Sequence, residues 1–378
     1  MTAPPLACVT IHHFRHALPV AIPTVMGPMT HRPALLLQIE DAEGAQGWGE
    51  IWCNFPPDGD LHRARLAARI LPAALSGMTA QTPDPFAQIM RRMHRLILQC
   101  GEPGPVAQIA SGADIALHDL AARRAGVPLA TLLGANTTAV PAYASGISPA
   151  NAPEQIARMR ALGYRAFKQR IGFGLDDGLG AAQETAQDLH PGEALMLDAN
   201  QAWDLETALA RCARLAPMNL RWLEEPLPAD APADHWQTLA QAAPMPLAGG
   251  ENLTGVAFDH AIHQRALGVL QPDICKWGGI SATLAIARAA KTAGLTYCPH
   301  FLGGGVGLVA SAHLLAAVGG DGMLEVDSSE NSLLEVFSGR GLALCDGAFP
   351  ISQTPGLGYT PDTPAMAHLQ TSCTEVAL

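Results

Sequence analysis

Between residues 196 and 252 short apolar runs alternate with amphipathic stretches, and each apolar run stops at an acid. LMLDAN (195–200), RWLEEP (221–226) and PLAGGEN (246–252) read as strands that end in Asp198, Glu224 and Glu251. Residues 205–215 and 235–242 lie between them and carry the spacing of helices with one apolar face. Strand, acid, helix, repeated, predicts parallel strands joined by crossover helices, with each acid at the carboxyl end of its strand. The same rhythm begins at VPAYASG (140–146) and YRAFKQRIG (164–172). It continues through GVLQPDICKWGG (268–279), LTYCPH (295–300) and GMLEVD (322–327). A (β/α)-type barrel over residues 135–340 follows, and in such a barrel the strand carboxyl ends are where sites are built.

Residues 1–134 break that rhythm. Strand-like runs (7–14, 34–39, 47–51) come first and helical stretches (60–75, 85–98, 107–125) follow, the signature of a separate α+β domain. After residue 341 the chain is rich in turns and Pro and holds no further barrel unit.

Three hard oxygen donors converging on one face, with no thiolate or His among them, suit Mg²⁺ better than Zn²⁺. Glu225 stands beside Glu224, and strand alternation lets only one of the two point inward. The same alternation sets Ala166, Lys168 and Arg170 on one face of the second strand and Phe167, Gln169 and Ile171 on the other. The apolar set meets helices, so Lys168 and Arg170 point into the barrel, where buried cations call for an anion. That anion is either the metal's carboxylates or a substrate carboxylate. Asp273 and His300 end adjacent strands, and a His beside an Asp at this face reads as a general base with a fixed tautomer.

LDAN, LEEP and GGEN, in this order, resemble the enolase superfamily. The stretch SGADIALHDLAARRAGVPLATLLG (111–134) resembles the end of that superfamily's capping domain. The Asp273/His300 pairing and the Glu of GGEN resemble its mandelate racemase subgroup. The resemblance implies a modified (β/α)7β TIM-type barrel with an α+β capping domain formed by residues 1–134 and a tail, 341–378, that returns to it. It implies Mg²⁺ held by Asp198, Glu224 and Glu251, and a final acid, Glu325, that donates a hydrogen bond to the substrate carboxylate. Donation requires Glu325 to be protonated, its pKa raised by the carboxylates around it. Loops PTVMGPMTHRP (23–33) and WCNFPPD (52–58) would close over the barrel mouth. Their His31, Arg32, Trp52 and Asn54 would contact substrate, as would Asn200 in LDAN, Lys168 and Arg170. A symmetric homo-oligomer is also implied.

The reaction the resemblance implies is removal of the proton α to a carboxylate, giving an ene-diolate whose charge Mg²⁺ and Lys168 offset. The subgroup's pattern on the second strand is Lys-x-Lys, and here the second position is Arg170, a group not deprotonated at ordinary pH. With one strong base, His300, the reading is dehydration of an acid sugar to a 2-keto-3-deoxy acid. The alternative is a racemase or epimerase in which Lys168 serves as second base.

Bulk composition narrows the partners. The chain has 378 residues, 48% of them hydrophobic, enough for a large core and more than one average domain. A net charge of -11 with 23 Lys+Arg argues against nucleic acid or an anionic membrane, though not against a small carboxylate substrate. Scattered cysteines, 8 in all and none in a C-x-x-C pair, fit a reduced cytoplasmic protein, and no signal peptide or membrane span is read. Gly305, Gly307 and Ala310 form G-x-G-x-x-A, a dinucleotide fingerprint when taken alone. It stands late in a parallel repeat and leaves the three acids without a role, so a loop that approaches substrate closely is the better reading. A catalytically silent barrel would need no Asp273/His300 pair, and a Mg²⁺ aldolase or hydrolase would show no proton exchange at an α-carbon.

Overall fold

The computed structural model describes residues 3–24, 26–172 and 177–378, which form two sheets. The first is antiparallel. β1 (Leu6–Ile22) pairs with β2 (Met29–Asp41), which pairs with β3 (Gln46–Ile51). Three helices, α1 (Gly59–Leu75), α2 (Pro85–Cys100) and α3 (Pro103–Ala125), complete this unit. Both faces of β2 are buried, which explains its near-continuous apolar run. Leu35, Leu37 and Ile39 pack with residues of the helices, whereas Ala34 and Leu36 join the cluster that reaches into the barrel. β3 and α3 lie unusually close: a Cβ at Gly47 or Gly49 would collide with α3 backbone.

Next come the short helix α4 (Leu129–Leu132) and the barrel itself. Its strands are β4 (Ala139–Ile147), β5 (Ala166–Arg170), β6 (Ala194–Asp198), β7 (Leu223–Glu224), β8 (Leu247–Gly249), β9 (Val269–Leu270), β10 (Thr296–Tyr297) and β11 (Leu324–Asp327). They follow one another in the sheet from β4 to β10, and β11 pairs parallel with β4 on its other side. The helices between them are α5 (Ala152–Ala161), α6 (Leu179–Gln187), α7 (Leu205–Leu215), α8 (Ala233–Ala242), α9 (Val256–Gln264), α10 (Gly279–Thr292) and α11 (Gly305–Val318). Eight strands with seven intervening helices among the described residues match the (β/α)7β arrangement, with the antiparallel unit as its cap. Between β10 and β11 the wall is bridged by the Met323 amide on Cys298 Sγ and the Phe301 amide on Glu325.

After α12 (Ser332–Phe337) and β12 (Ala348–Pro350), the tail ends in β13 (Gln370–Ala377), antiparallel to β1 with Cys8 opposite Ala377. β13 is an exposed edge strand of mostly polar residues, held by backbone hydrogen bonds rather than burial, so it leaves no apolar signature in the sequence.

The barrel interior is plugged by one side chain from each strand or from the residue directly next to it. Tyr143, Ala166, Met196 and Trp222 come from the first four, and Ala248, Val269, Cys298 and Met323 from the rest. Two large rings, packed edge to face at 5.3 Å, are accommodated by small or flexible residues around them. Among the described residues no helix is long and apolar enough to cross a membrane.

Candidate active site

Side chains along a strand return to the same face every second residue, so the position two beyond each plug residue faces the barrel axis one layer higher. Those positions are Ser145, Lys168, Asp198 and Glu224 on β4 to β7. They are Gly250, Gln271, His300 and Glu325 on the remaining four. The polar layer is therefore a direct continuation of the apolar plug. On β8 the inward place is taken by Gly250 at φ +134°, where a Cβ would press on Gln271 backbone, and Glu251 follows it.

Lys168 is 2% exposed and sits among three acids: Glu224 in direct contact, Glu325 at 2.7 Å and Asp198 at 3.7 Å. Glu224 also accepts from Gln271 Nε2 at 2.6 Å and Trp222 Nε1 at 3.1 Å. One cation cannot hold three buried acids fully ionised. Burial, with Asp198 and Glu325 adding repulsion, pushes Glu224 up to about 7 despite Lys168. Burial raises Asp198 as well, with Glu251 contributing. Glu325 goes the other way. Burial pulls it up, but Lys168, His300 and the Ser145 hydroxyl at 2.5 Å outweigh that and hold it below the usual carboxylate range. A protonated, donating Glu325 is thus not what this arrangement favours: the ammonium 2.7 Å away outweighs the neighbouring carboxylates. For Lys168 itself, burial works against the charge and is overcome by Glu224 and Glu325, so its pKa lies well above the usual lysine value.

His300 Nδ1 is 2.8 Å from Asp273 Oδ2, and Asp273 Oδ1 is anchored by the amides of Cys275 at 2.8 Å and Lys276 at 3.1 Å. Paired with Asp273, Nδ1 is the nitrogen that donates, which leaves Nε2 as the working nitrogen. Nε2 contacts the Glu251 carboxylate. Burial lowers the imidazole pKa, but Glu251, Glu325 and Asp273 raise it further, to well above the usual His value.

These groups open onto one cavity, whose lining includes Lys168, Arg170, Asp198, Asn200, Glu251, His300 and Glu325 from the barrel and Arg32 and Trp52 from the cap. Asn200 Nδ2 donates to Asp198 at 2.9 Å. Glu224 and Asp273 stand behind the lining. His31 and Asn54 do not line it either, and each has a physical reason. The segment 23–33, expected as a loop, forms the turn and returning arm of the β1/β2 hairpin, with Val25 outside the described residues. His31 and Arg32 are successive strand residues and so face opposite sides. Arg32 is buried and bonds Asp327 at 2.7 Å, whereas His31 lies partly exposed, 4.0 Å from Asp60. Asn54 instead braces the cap on the barrel through the Leu302 carbonyl at 2.7 Å.

Two residues of the cavity, Lys276 and Asp327, have no assigned role in the sequence reading, and a third, Glu225, is expected to point away if Glu224 points inward. Glu225 has φ +37°, a kink that swings its carboxylate onto Asn252 Nδ2 at 3.0 Å, so both members of the Glu-Glu pair reach the site region. Lys276 Nζ lies 3.5 Å from Glu251, 2.8 Å from Asn252 Oδ1 and over the Trp52 ring. Its place three residues beyond Asp273 in PDICK was the available signal. Asp327 follows Glu325 by one strand period and meets Arg32.

As they stand, no three acid, His or Cys side chains among the described residues converge closely enough to hold a metal ion. Lys168 and His300 occupy the carboxylates instead. In kind and in charge the acids still suit a hard divalent cation. All are oxygen donors, and Asp198 and Glu224 are pushed up by burial and by mutual repulsion that a cation would relieve.

The dinucleotide reading of the Gly-rich segment fails on geometry. Where a phosphate would sit, at the α11 N-terminus, the Glu50 carboxylate already accepts from the Gly304 and Gly307 amides, and its charge would repel a phosphate.

Comparison with known proteins agrees with the fold. Residues 8–134 match the mandelate racemase / muconate lactonizing enzyme N-terminal domain, and residues 151–365 match the enolase C-terminal domain-like family. The D-galactarolactone cycloisomerase of Agrobacterium fabrum is 28% identical over 93% of this chain and 95% of its own length. The L-talarate/galactarate dehydratase of Salmonella typhimurium is 31% identical over 92% of this chain and 85% of its own. Among solved structures, a mandelate racemase/muconate lactonizing enzyme from Bordetella bronchiseptica RB50 superposes with a TM-score of 0.87 at 47% identity, covering 97% of this chain and 100% of that one. L-Talarate dehydratase from Polaromonas sp. JS666, complexed with Mg and L-glucarate, superposes at 0.86 with 28% identity and full coverage of both chains (100% each). The succession of acids on consecutive strands, the Asp–His pair and the capped barrel thus have one explanation: the chain belongs to the enolase superfamily, in its mandelate racemase/muconate lactonizing enzyme group.

Proposed function

We propose that the protein is a Mg²⁺-dependent acid-sugar dehydratase. The observation that carries this reading is a single His, His300, with Nε2 at the cavity and Asp273 behind it, while the strand facing it offers Lys168 and Arg170 rather than two lysines. Asp198, Glu224 and Glu251 would hold Mg²⁺. When bound, Mg²⁺ would bind the substrate carboxylate and take up part of the charge that develops on it. With Glu251 holding the ion instead of contacting Nε2, the largest source of the raised His300 pKa is removed, and neutral Nε2 takes the proton from the carbon bearing that carboxylate while Asp273 steadies the resulting imidazolium. The Lys168 ammonium adds positive charge beside the forming ene-diolate. The electron pair then expels the β-hydroxyl, which leaves as water with the proton held on His300 Nε2. The enol left behind tautomerises to the 2-keto-3-deoxy acid.

A diacid sugar fits the cavity best. At the ends of β11, β4 and β5 two guanidiniums, Arg32 from the cap and Arg170 from the barrel, line the wall; Asp327 pairs with Arg32 and, with Asp198, acts on Arg170. Among the described residues the buried Nε of Arg32 has no hydrogen-bond partner, and burial outweighs Asp327 and Asp198 to draw the Arg170 pKa down. A second carboxylate would satisfy both groups. Arg32→Lys keeps the charge opposite Asp327 but loses the planar fork. KM for a diacid is expected to rise about 10- to 100-fold, the effect of one or two charge-assisted hydrogen bonds, with KM for a monoacid sugar nearly unchanged. Equal effects on both classes would remove Arg32 from the distal contact.

The test of the reaction is a screen of mono- and diacid sugars with Mg²⁺, detecting α-keto products as semicarbazones, run in parallel in D₂O. Keto product from one or more acids supports dehydration. Deuterium at C2 of recovered acid without keto product would replace it by racemisation or epimerisation, the second reading, with Lys168 or Lys276 as the second base.

A further inference from the structure

The two strands that carry Asp273 and His300 are each followed by a barrel helix, α10 and α11, and both helix N-termini are capped by buried carboxylates from the capping domain. Glu50, on β3, accepts the Gly304 amide and, at 2.8 Å, the Gly307 amide at the start of α11. Asp114, on α3, accepts the amides of Ile280 at 2.7 Å and Ser281 at 3.0 Å, and the Ser281 hydroxyl at 2.5 Å, at the start of α10. Gly304 lies four positions after His300, and Ile280 seven after Asp273. The glycines at these junctions are shaped by the contact. A Cβ on Gly303 or Gly304 would press on the Glu50 carboxylate, and one on Gly279 would overlap Asp114.

We propose that Glu50 and Asp114 are positioning residues for the Asp273–His300 pair: one rigid β3/α3 platform in the cap sets where both barrel loops end, and so sets the pair's mutual geometry. The proposal rests on the reading of that pair as the proton-transferring unit. The platform is suited to the task because β3 and α3 approach so closely that neither can slide: a Cβ on Gly49 would overlap the Gly112 carbonyl and one on Gly112 would press on Glu50 backbone. Two further ties join the same places, the Trp52 amide to the Cys275 carbonyl at 3.3 Å and Asn54 to the Leu302 carbonyl. A carboxylate at a helix N-terminus is favourable by itself, so a purely stabilising role is the competing account. For Glu50 the expense of burial, which pushes its carboxyl up to about 7, stands against that account, a cost an exposed cap would avoid; Asp114, although buried, is held below its ordinary value by His118 and Ser281, so its case rests on the geometry alone. Reacting groups displaced by about an ångström lose on the order of 100-fold in rate, so small movements of these loops are expected to show in turnover.

The test compares Glu50→Gln and Asp114→Asn with Asp41→Asn. Asp41 is a buried cap carboxylate tied to Arg124 and to its own turn, with no barrel contact. Three quantities are read: melting temperature, kcat and KM on an acid identified by the screen, and amide hydrogen exchange over residues 297–308 and 271–281. Expected for Glu50→Gln is a kcat lower by about 10- to 100-fold, KM within about 2-fold, and faster exchange confined to 297–308. Expected for Asp114→Asn is the same split with exchange rising in 271–281, while Asp41→Asn lowers the melting temperature alone. The proposal is overturned if the Glu50 and Asp114 variants behave as Asp41→Asn does, or if exchange rises evenly across the protein. Should the unaltered protein turn over no acid sugar, the dehydratase reading fails, and the exchange pattern still decides whether these two carboxylates hold the loops.

Discussion

Replacing His300 with Asn is expected to lower kcat by about 10²- to 10⁴-fold, the span of a lost general acid–base group, with KM changed little. Asn can still donate to Asp273, so that buried carboxylate keeps a partner and the fold should survive, which a melting curve would verify. Two readouts are needed because His300 is assigned both proton transfers. Keto-product formation reports the complete reaction, and uptake of deuterium at C2 reports abstraction alone. Both should fall together in His300→Asn. Deuterium uptake persisting at the unaltered rate would transfer the base role to Lys168 or Lys276, the two ammonium groups on the cavity wall.

Removal of divalent ions is expected to have an effect of comparable size. After chelation and desalting, turnover should drop to background and return with added Mg²⁺. Binding can be followed without turnover, because an ion that binds only the folded state raises the melting temperature in proportion to the logarithm of its concentration. Glu251→Gln should weaken Mg²⁺ by at least about 100-fold, since loss even of groups that merely orient metal ligands costs about 10- to 100-fold. Glu224→Gln and Glu225→Gln divide the Glu-Glu pair. If Glu224 is the ligand its variant should match Glu251→Gln, whereas a larger loss in Glu225→Gln would move the ligand to the residue that lines the cavity. Chelation that leaves turnover unchanged would end the Mg²⁺ reading altogether.

Lys168 and the acids that end the strands are legible in the sequence because they follow a local rule, whereas Ser145 and Gln271 of the same layer carry no such signal. Once Met196 and Trp222 are recognised as inward, Asp198 and Glu224 must follow on the same face. The same rule places Lys168 two residues after Ala166 and Glu325 two after Met323. Where a residue left the strand the rule lost its grip. Glu225 takes φ +37°, and its turn toward Asn252 cannot be read from LEEP. In the sequence His31 and Arg32 read alike as loop residues, because the turn residues around them hide a hairpin whose alternation separates them. β13 went unseen for a different reason: its backbone is satisfied by β1 and its side chains bury almost nothing.

What the amino-acid sequence determined by itself was the barrel, the order of its strands and the acids, the cation pair and the His that end them. Those follow from periodicity and chain connectivity, which act over a few residues. Tertiary structure alone decided which charge faces which. Arg32 meets Asp327 across 295 residues, Glu50 meets Gly304 across 254, and Lys168 is divided among Asp198, Glu224 and Glu325. The protonation preferences of Glu224 and Glu325 went in opposite directions for the same reason. Electrostatic energy in a buried site depends on separations of a few ångströms between groups brought together from distant segments; the barrel's closure sets those around Lys168, and the packing of the cap on it sets those of Arg32 and Glu50.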